Sequence, residues 1–165
     1  MMTLNQILVA TDFSEPSDAA LLYGRELAMR FAARLHLLHV AQDIYVNFSG
    51  AGNYLSMAPA IQQQIEEDAR RRLGEIVGAT GTGEPVTVAC VLTDPSPARA
   101  IVDYAKANQI DVIVIGTHGR GAVAHLLMGS VAERVVRFAP CPVLTVKHPE
   151  REFARADALE RVTHA

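Results

Sequence analysis

The sequence predicts a one-domain α/β protein in which a parallel, five-stranded sheet is sandwiched between two layers of helices. Three observations predict it. Short, continuous apolar runs such as Ile7-Leu8-Val9-Ala10 read as strands buried on both faces. Stretches with helical spacing lie between them, and an alternation of β and α elements implies right-handed crossovers and a parallel sheet. A chain of 165 residues, 50% apolar and 20% charged, has the size of one domain and the composition of a globular one.

The elements follow in order. Ile7 to Ala10 is the first strand. Thr11-Asp12-Phe13-Ser14-Glu15-Pro16 is a polar turn with capping residues and a proline suited to a helix's first turn. Within Ser17 to Ala33, Ala20, Leu27 and Phe31 recur at helical period. Leu35 to Val40 reads as a second strand, and Met57 to Val77, rich in Glu, Gln and Arg, as a second helix. Val86 to Leu92 is a third strand, and Ser96-Pro97 opens a third helix ending near Asn108. Asp111 to Ile115 is the most apolar strand, Ser130 to Phe138 a fourth helix, and Pro142 to Val146 a fifth strand. By analogy with its class, such a chain takes the flavodoxin/Rossmann-like order 3-2-1-4-5, with a switch point between strands one and four. Residues 1–148 form the domain, and the charged stretch 149–165 reads as a tail.

Composition excludes several classes. A formal charge of −3 argues against a dedicated nucleic-acid binder, which carries a basic face. No apolar run approaches the ~20 residues needed to cross a bilayer, and polar Met1 to Gln6 does not read as a secretory leader. Cys90 and Cys141 stand far apart in apolar contexts and read as reduced thiols, which places the chain in the cytoplasm. Lys106 and Lys147 are the two lysines, so a bound polyphosphate must rely on backbone amides, an arginine or a metal ion.

In such a sheet, ligands sit beyond the carboxyl ends of the strands at the switch point. Two segments meet there: Thr11 to Ser14, and a glycine-rich turn from Gly116 to Ser130. The turn reads Gly-Thr-His-Gly-Arg-Gly, then Ala122 to Met128, then Gly129-Ser130. Glycines at 116 and 119 allow amides close to an anion and accept positive φ. Gly129-Ser130 opens a helix whose first amides favour phosphate, and Arg120 is the cation of this stretch. A ligand-free reading stands beside this one, because Ser130-Val-Ala-Glu133 is also a capping box. With glycine at about 7% of residues, three glycines and a Ser/Thr at fixed offsets arise by chance in about one chain per hundred. The spacing therefore favours phosphate binding.

The pattern Gly116-x2-Gly119-x9-Gly129-Ser130 resembles the ATP-binding signature of the universal stress protein family. Ile-Leu-Val-Ala-Thr-Asp-Phe-Ser at 7–14 resembles that family's first strand and loop. Ser-Val-Ala-Glu-Arg-Val-Val and Ala-Pro-Cys-Pro-Val-Leu resemble its end. The resemblance spans about residues 3–147. It implies ATP (or ADP or AMP) as ligand and a homodimer joined through the Pro142 to Val146 strand. Asp12 matches the acid near ribose and adenine, Ala10 and Thr11 line the same pocket, and Val40 matches the residue whose backbone reads the adenine edge. Gly116, Gly119, Gly129 and Ser130 match phosphate-binding positions, with Thr117, His118, Arg120 and Val131 beside them. Many nucleotide-binding members carry proline where this chain has Ala10, and Gly121 adds a glycine that loosens the loop.

Other residues carry two readings each. Asp12 suits Mg²⁺, ribose hydroxyls or a helix cap. His118 suits a phosphate contact or a solvent-facing loop. His36 and His39 stand three apart on a strand and so face opposite sides, which excludes a shared metal. Ala41 to Met57 is long for a βα connection, where 2–6 residues are usual, and reads as a lid, a partner-facing loop or disorder. Functionally, the chain reads as an ATP-binding regulatory or stress-survival module with a protein partner and little or no fast turnover. A slow ATPase or phosphotransferase is the alternative enzyme, although no Gly-x4-Gly-Lys-[Ser/Thr] motif is present. A nucleotide-free dimeric interaction protein is the alternative binder. A receiver domain fits less well, since Asp12 is the lone acid directly after strand one and strand three ends Val91-Leu92-Thr93-Asp94.

Overall fold

The structure, a computed structural model, describes residues 3–45, 57–78, 85–117 and 128–147. Among the described residues nine elements alternate: β1 Gln6–Thr11, α1 Glu15–Phe31, β2 Arg34–Gln42, α2 Ala58–Gly78, β3 Thr87–Asp94, α3 Pro97–Ala107, β4 Val112–Gly116, α4 Ser130–Phe138 and β5 Val143–Val146. The five strands form one sheet in the order β3-β2-β1-β4-β5, every pair parallel. This is the expected flavodoxin-like order.

Alternation along the strands builds two cores. Ile7, Val9, Leu35, Leu37, Val112 and Val114 face one way, into a cluster with Ala20, Ala28 and Leu73 from α1 and α2. Leu8, Ala10, Leu38, Ile113 and Ile115 face the other way, against Ala98, Ile101, Ala105 and Val135 from α3 and α4. Continuous apolar runs were the right signal because both faces of the central strands are covered. His36 and His39 obey the same alternation. His36 contacts Tyr104 of α3, whereas His39 packs on Phe13 at the opposite face.

The two strands at the β2–β3 boundary run further than their sequences predict. Pairing continues through Gln42 and Asp94, two residues beyond each predicted end. Partner strands hold these polar ends in register, which local propensity does not encode. Helix α1 begins at Glu15, with Ser14 as its N-cap and Pro16 in its first turn as expected. The tail and most of the Ala41 to Met57 connection lie outside the described residues. Among the described residues, no helix is long and apolar enough to cross a membrane.

Candidate functional site

The switch point is built by the register of β1 with β4, which sets Ala10 beside Ile115. One step further along, the Thr11 end of β1 adjoins the Gly116 end of β4. Ala10 is buried on the α3–α4 side of the sheet, and half-buried Val40 packs against the same cluster. These two predicted adenine-pocket residues therefore share one face.

The turn after β1 is held by its own side chains. The Thr11 hydroxyl receives the Phe13 amide at 3.0 Å and shares a hydrogen bond of 3.1 Å with the Ser17 hydroxyl. The Ser14 amide is placed between the Ser17 hydroxyl at 3.0 Å and the Asp12 carboxylate at 3.1 Å. The Ser14 hydroxyl also donates to that carboxylate. Asp12 is thus the acceptor of an Asx turn two residues ahead of the cap, and Ser14 is the cap itself. Its helix-cap reading is corrected accordingly.

The second segment starts from β4. The buried Thr117 donates its amide to the Val146 carbonyl at 2.8 Å, and its own carbonyl accepts the Gly129 amide at 2.6 Å. Thr117 therefore brings the end of β4, the end of β5 and the start of α4 to one place. His118, Gly119 and Arg120 lie outside the described residues.

Two expectations for this segment change. Gly116 ends a strand, and its glycine is required by packing: a Cβ there would stand 2.8 Å from the Pro16 carbonyl oxygen and 2.9 Å from its carbon. Close approach is real at this position, but the approaching group is the first turn of α1. The Ser130–Glu133 capping box does not form. Gly129 is the N-cap, with φ −72° and ψ 153°, and no side chain caps the helix. The Glu133 amide bonds to the Gly129 carbonyl at 3.0 Å, so Glu133 is the fourth helical residue and one step too far along for a box.

This vacancy of the cap has a chemical consequence. The amides of Ser130, Val131 and Ala132 have no carbonyl partner within their own helix. They stand at the positive end of α4, a place that accepts an anion. Ser130 is exposed and Val131 half-buried there. Among the described residues, no group of three or more His, Cys, Asp or Glu gathers as a metal site.

Sequence reasoning missed Phe13, whose backbone is left-handed at φ 62°, and the buried hydroxyl of Ser17. No residue pattern announces a positive φ at phenylalanine. The Ser17 role was visible as a hydroxyl three residues after Ser14, the spacing of a helix-start hydrogen-bond pair.

Known proteins share this fold. The model of the universal stress protein family matches residues 3–147. A universal stress protein from Thermus aquaticus is 36% identical over 146 residues, covering 86% of this chain and 97% of that one. The solved universal stress protein UspA from Lactobacillus plantarum superposes with a TM-score of 0.72 at 28% identity, covering 88% of this chain and 99% of that one. The universal stress protein from Archaeoglobus fulgidus in complex with dAMP has a TM-score of 0.51 at 21% identity, covering 89% and 100%, a likeness of fold. With the predicted strand order, the predicted junction of β1 and β4, and a family model spanning both, the chain belongs to the universal stress protein family.

Proposed function

We propose that this chain binds an adenine nucleotide, ATP in the first place with ADP or AMP as alternatives, at the β1–β4 junction. It acts as a nucleotide-dependent regulatory module of the cytoplasm, with little or no fast turnover. One observation carries the reading: α4 begins without a side-chain cap, and the Thr117–Gly129 hydrogen bond ties its start to the end of β4, the strand paired with β1. An uncapped helix start at a sheet switch point is the natural seat for phosphate. The resemblance at Asp12 and Val40, and the dAMP bound by the Archaeoglobus protein, support adenine as the base.

In this reading Ser130, Val131 and Ala132 present backbone amides to phosphate, and Gly129, its own amide bonded to the Thr117 carbonyl, fixes their position. Gly119, His118 and Arg120 belong to the same turn in sequence. Asp12 faces the ribose, and Thr11 and Gly116 form the floor. If Mg²⁺ joins, Asp12 is its protein ligand and phosphate oxygens and water complete the shell. Holding by amides and one arginine stabilises bound phosphate without the extra cationic help that fast phosphoryl transfer needs.

The dimer belongs to the same proposal. β5 is an edge strand, and Leu144 on it is 37% exposed, with Val136 and Phe138 of α4 exposed at 47% and 62%. Pairing two copies along β5 would cover this edge.

Extraction of the purified protein followed by mass spectrometry, together with calorimetric titration of ATP, tests the reading. Co-purified adenine nucleotide, or saturable binding lost in Gly119→Val and Gly129→Val while folding is kept, is the expected result. Absence of both bound nucleotide and titratable ATP would sink it. Turnover of several ATP per minute would move the assignment to a slow ATPase.

A further inference from the structure

Phe13 adopts a left-handed backbone, φ 62°, that a bulky side chain takes up only when its surroundings impose it. Its surroundings are unusual. The His39 imidazole lies against the Phe13 ring, centroid to centroid 4.4 Å with planes 33° apart. The Arg72 guanidinium carbon stands over the same ring, 4.0 Å from its centroid. The Phe13 ring is therefore in contact with both groups at once. His39 is itself fixed, because its Nδ1 lies 2.8 Å from the Thr11 carbonyl oxygen and must donate to it.

The column therefore runs from α2 through the turn to β2 and ends on the residue before Asp12. Arg72 differs from its neighbours in this. Arg70 pairs with Glu66, and Arg71 with Asp68 and Glu75, all on the helix surface. Arg72 instead reaches a ring that packs against the core cluster under α1 and α2. A guanidinium over an aromatic face is attractive in its own right.

We propose that Arg72, Phe13 and His39 form a clamp that holds the Thr11–Ser14 turn in its nucleotide-binding shape, with Arg72 as a positioning residue carried on α2. This rests on the nucleotide reading above and extends it. Affinity at the β1–β4 junction then depends on how α2 lies against the sheet, so a partner or a change that moves α2 alters nucleotide binding without touching the ligand.

The test compares Arg72→Met, which keeps bulk and removes the cation, with Arg72→Lys, which keeps a cation, and with Arg71→Met as a surface control. Amide hydrogen exchange at Phe13 and Ser14 is measured in nucleotide-free protein, and ATP affinity by titration. Arg72→Met is expected to speed exchange at those two amides, leave the β1 core amides unchanged and weaken ATP binding about tenfold, with Arg72→Lys recovering most of the loss. Unchanged exchange overturns the clamp, and faster exchange with unchanged affinity overturns its positioning role. If the wild-type protein binds no ATP, the nucleotide reading and the positioning role fall together, while the exchange measurement still decides whether the clamp orders the turn.

Discussion

The Thr117 carbonyl accepts the Gly129 amide at 2.6 Å, and this bond ties the end of β4 to the cap of α4 across residues 118–128. Position and chemistry meet in it. The amides that follow Gly129 are the ones offered to phosphate, so the bond sets where they point. Gly129→Pro is the direct test, because its φ of −72° lies within proline's range and the substitution removes the N–H. A stability loss of about 1 kcal/mol in denaturant unfolding is expected, with ATP affinity falling alongside. Gly129→Ala should fold as wild type, since no positive φ is involved. Undiminished ATP binding in the proline variant would show that the helix start holds its place without Thr117.

Gly116→Ala addresses a different cause. Its new methyl would press on the Pro16 carbonyl, a backbone group that yields only if α1 shifts. Overpacking of this kind costs about 1–3 kcal/mol. The unfolding midpoint should drop even in nucleotide-free protein, and a wild-type midpoint would contradict the packing account. Gly24→Ala should fail more severely, because its Cβ would overlap the Val9 side chain beneath α1.

A pH dependence follows from His36. Its Nε2 faces the Gln6 side-chain amide oxygen Oε1 at 2.8 Å and must donate, so Nδ1 accepts the Tyr104 hydroxyl at 2.8 Å. Burial, helped by the nearby Arg34 charge, lowers the His36 pKa from its ordinary value. The unfolded chain therefore takes up the proton first. His36's contribution is complete above about pH 6.5, shrinks as pH falls through the lowered folded value, and levels off below it. Unfolding midpoints measured from pH 7.5 to 5 should show this loss, and His36→Gln should flatten it. An identical slope in both proteins would assign the effect elsewhere. Tyr104→Phe, which leaves Nδ1 without its donor, should cost about 1–2 kcal/mol.

Edge pairing through β5 predicts that Leu144→Arg yields a monomer by sedimentation without unfolding the chain. Leu144 is 37% exposed and opposite Val114 in register, so a charge there disturbs the surface more than the core. A variant that sediments as wild type would exclude this strand as the interface.

The alternation of elements was legible because buried parallel strands are apolar on both faces, and Ile7, Leu8 and Val9 are wholly buried. Strand order came from class analogy, since no local pattern distinguishes β3 beside β2 from β3 beside β4. The site was half legible. Gly129-Ser130 marks a helix start in any reading, but which residue serves as cap is decided by the pull of Thr117, ten or more residues upstream. Asp12 stood out as an acid after a strand, while the side chains that shape its turn did not. Phe13 and His39 look like ordinary core residues, and Arg72 like one more charge on an exposed helix. Their meeting depends on α2 and β2 being folded against β1, a relation between segments far apart in sequence.

The contact between Gly116 and Pro16 bears on how signatures are inherited. Selection for folding alone is enough to keep glycine at 116, because replacing it disturbs α1 whether or not a nucleotide is present. A descendant that had abandoned its ligand would retain this letter of the motif for as long as it retained the fold. Sorting binders from non-binders among such descendants must then rest on positions with no architectural duty, and among the described residues the uncapped, exposed Ser130 is the better witness.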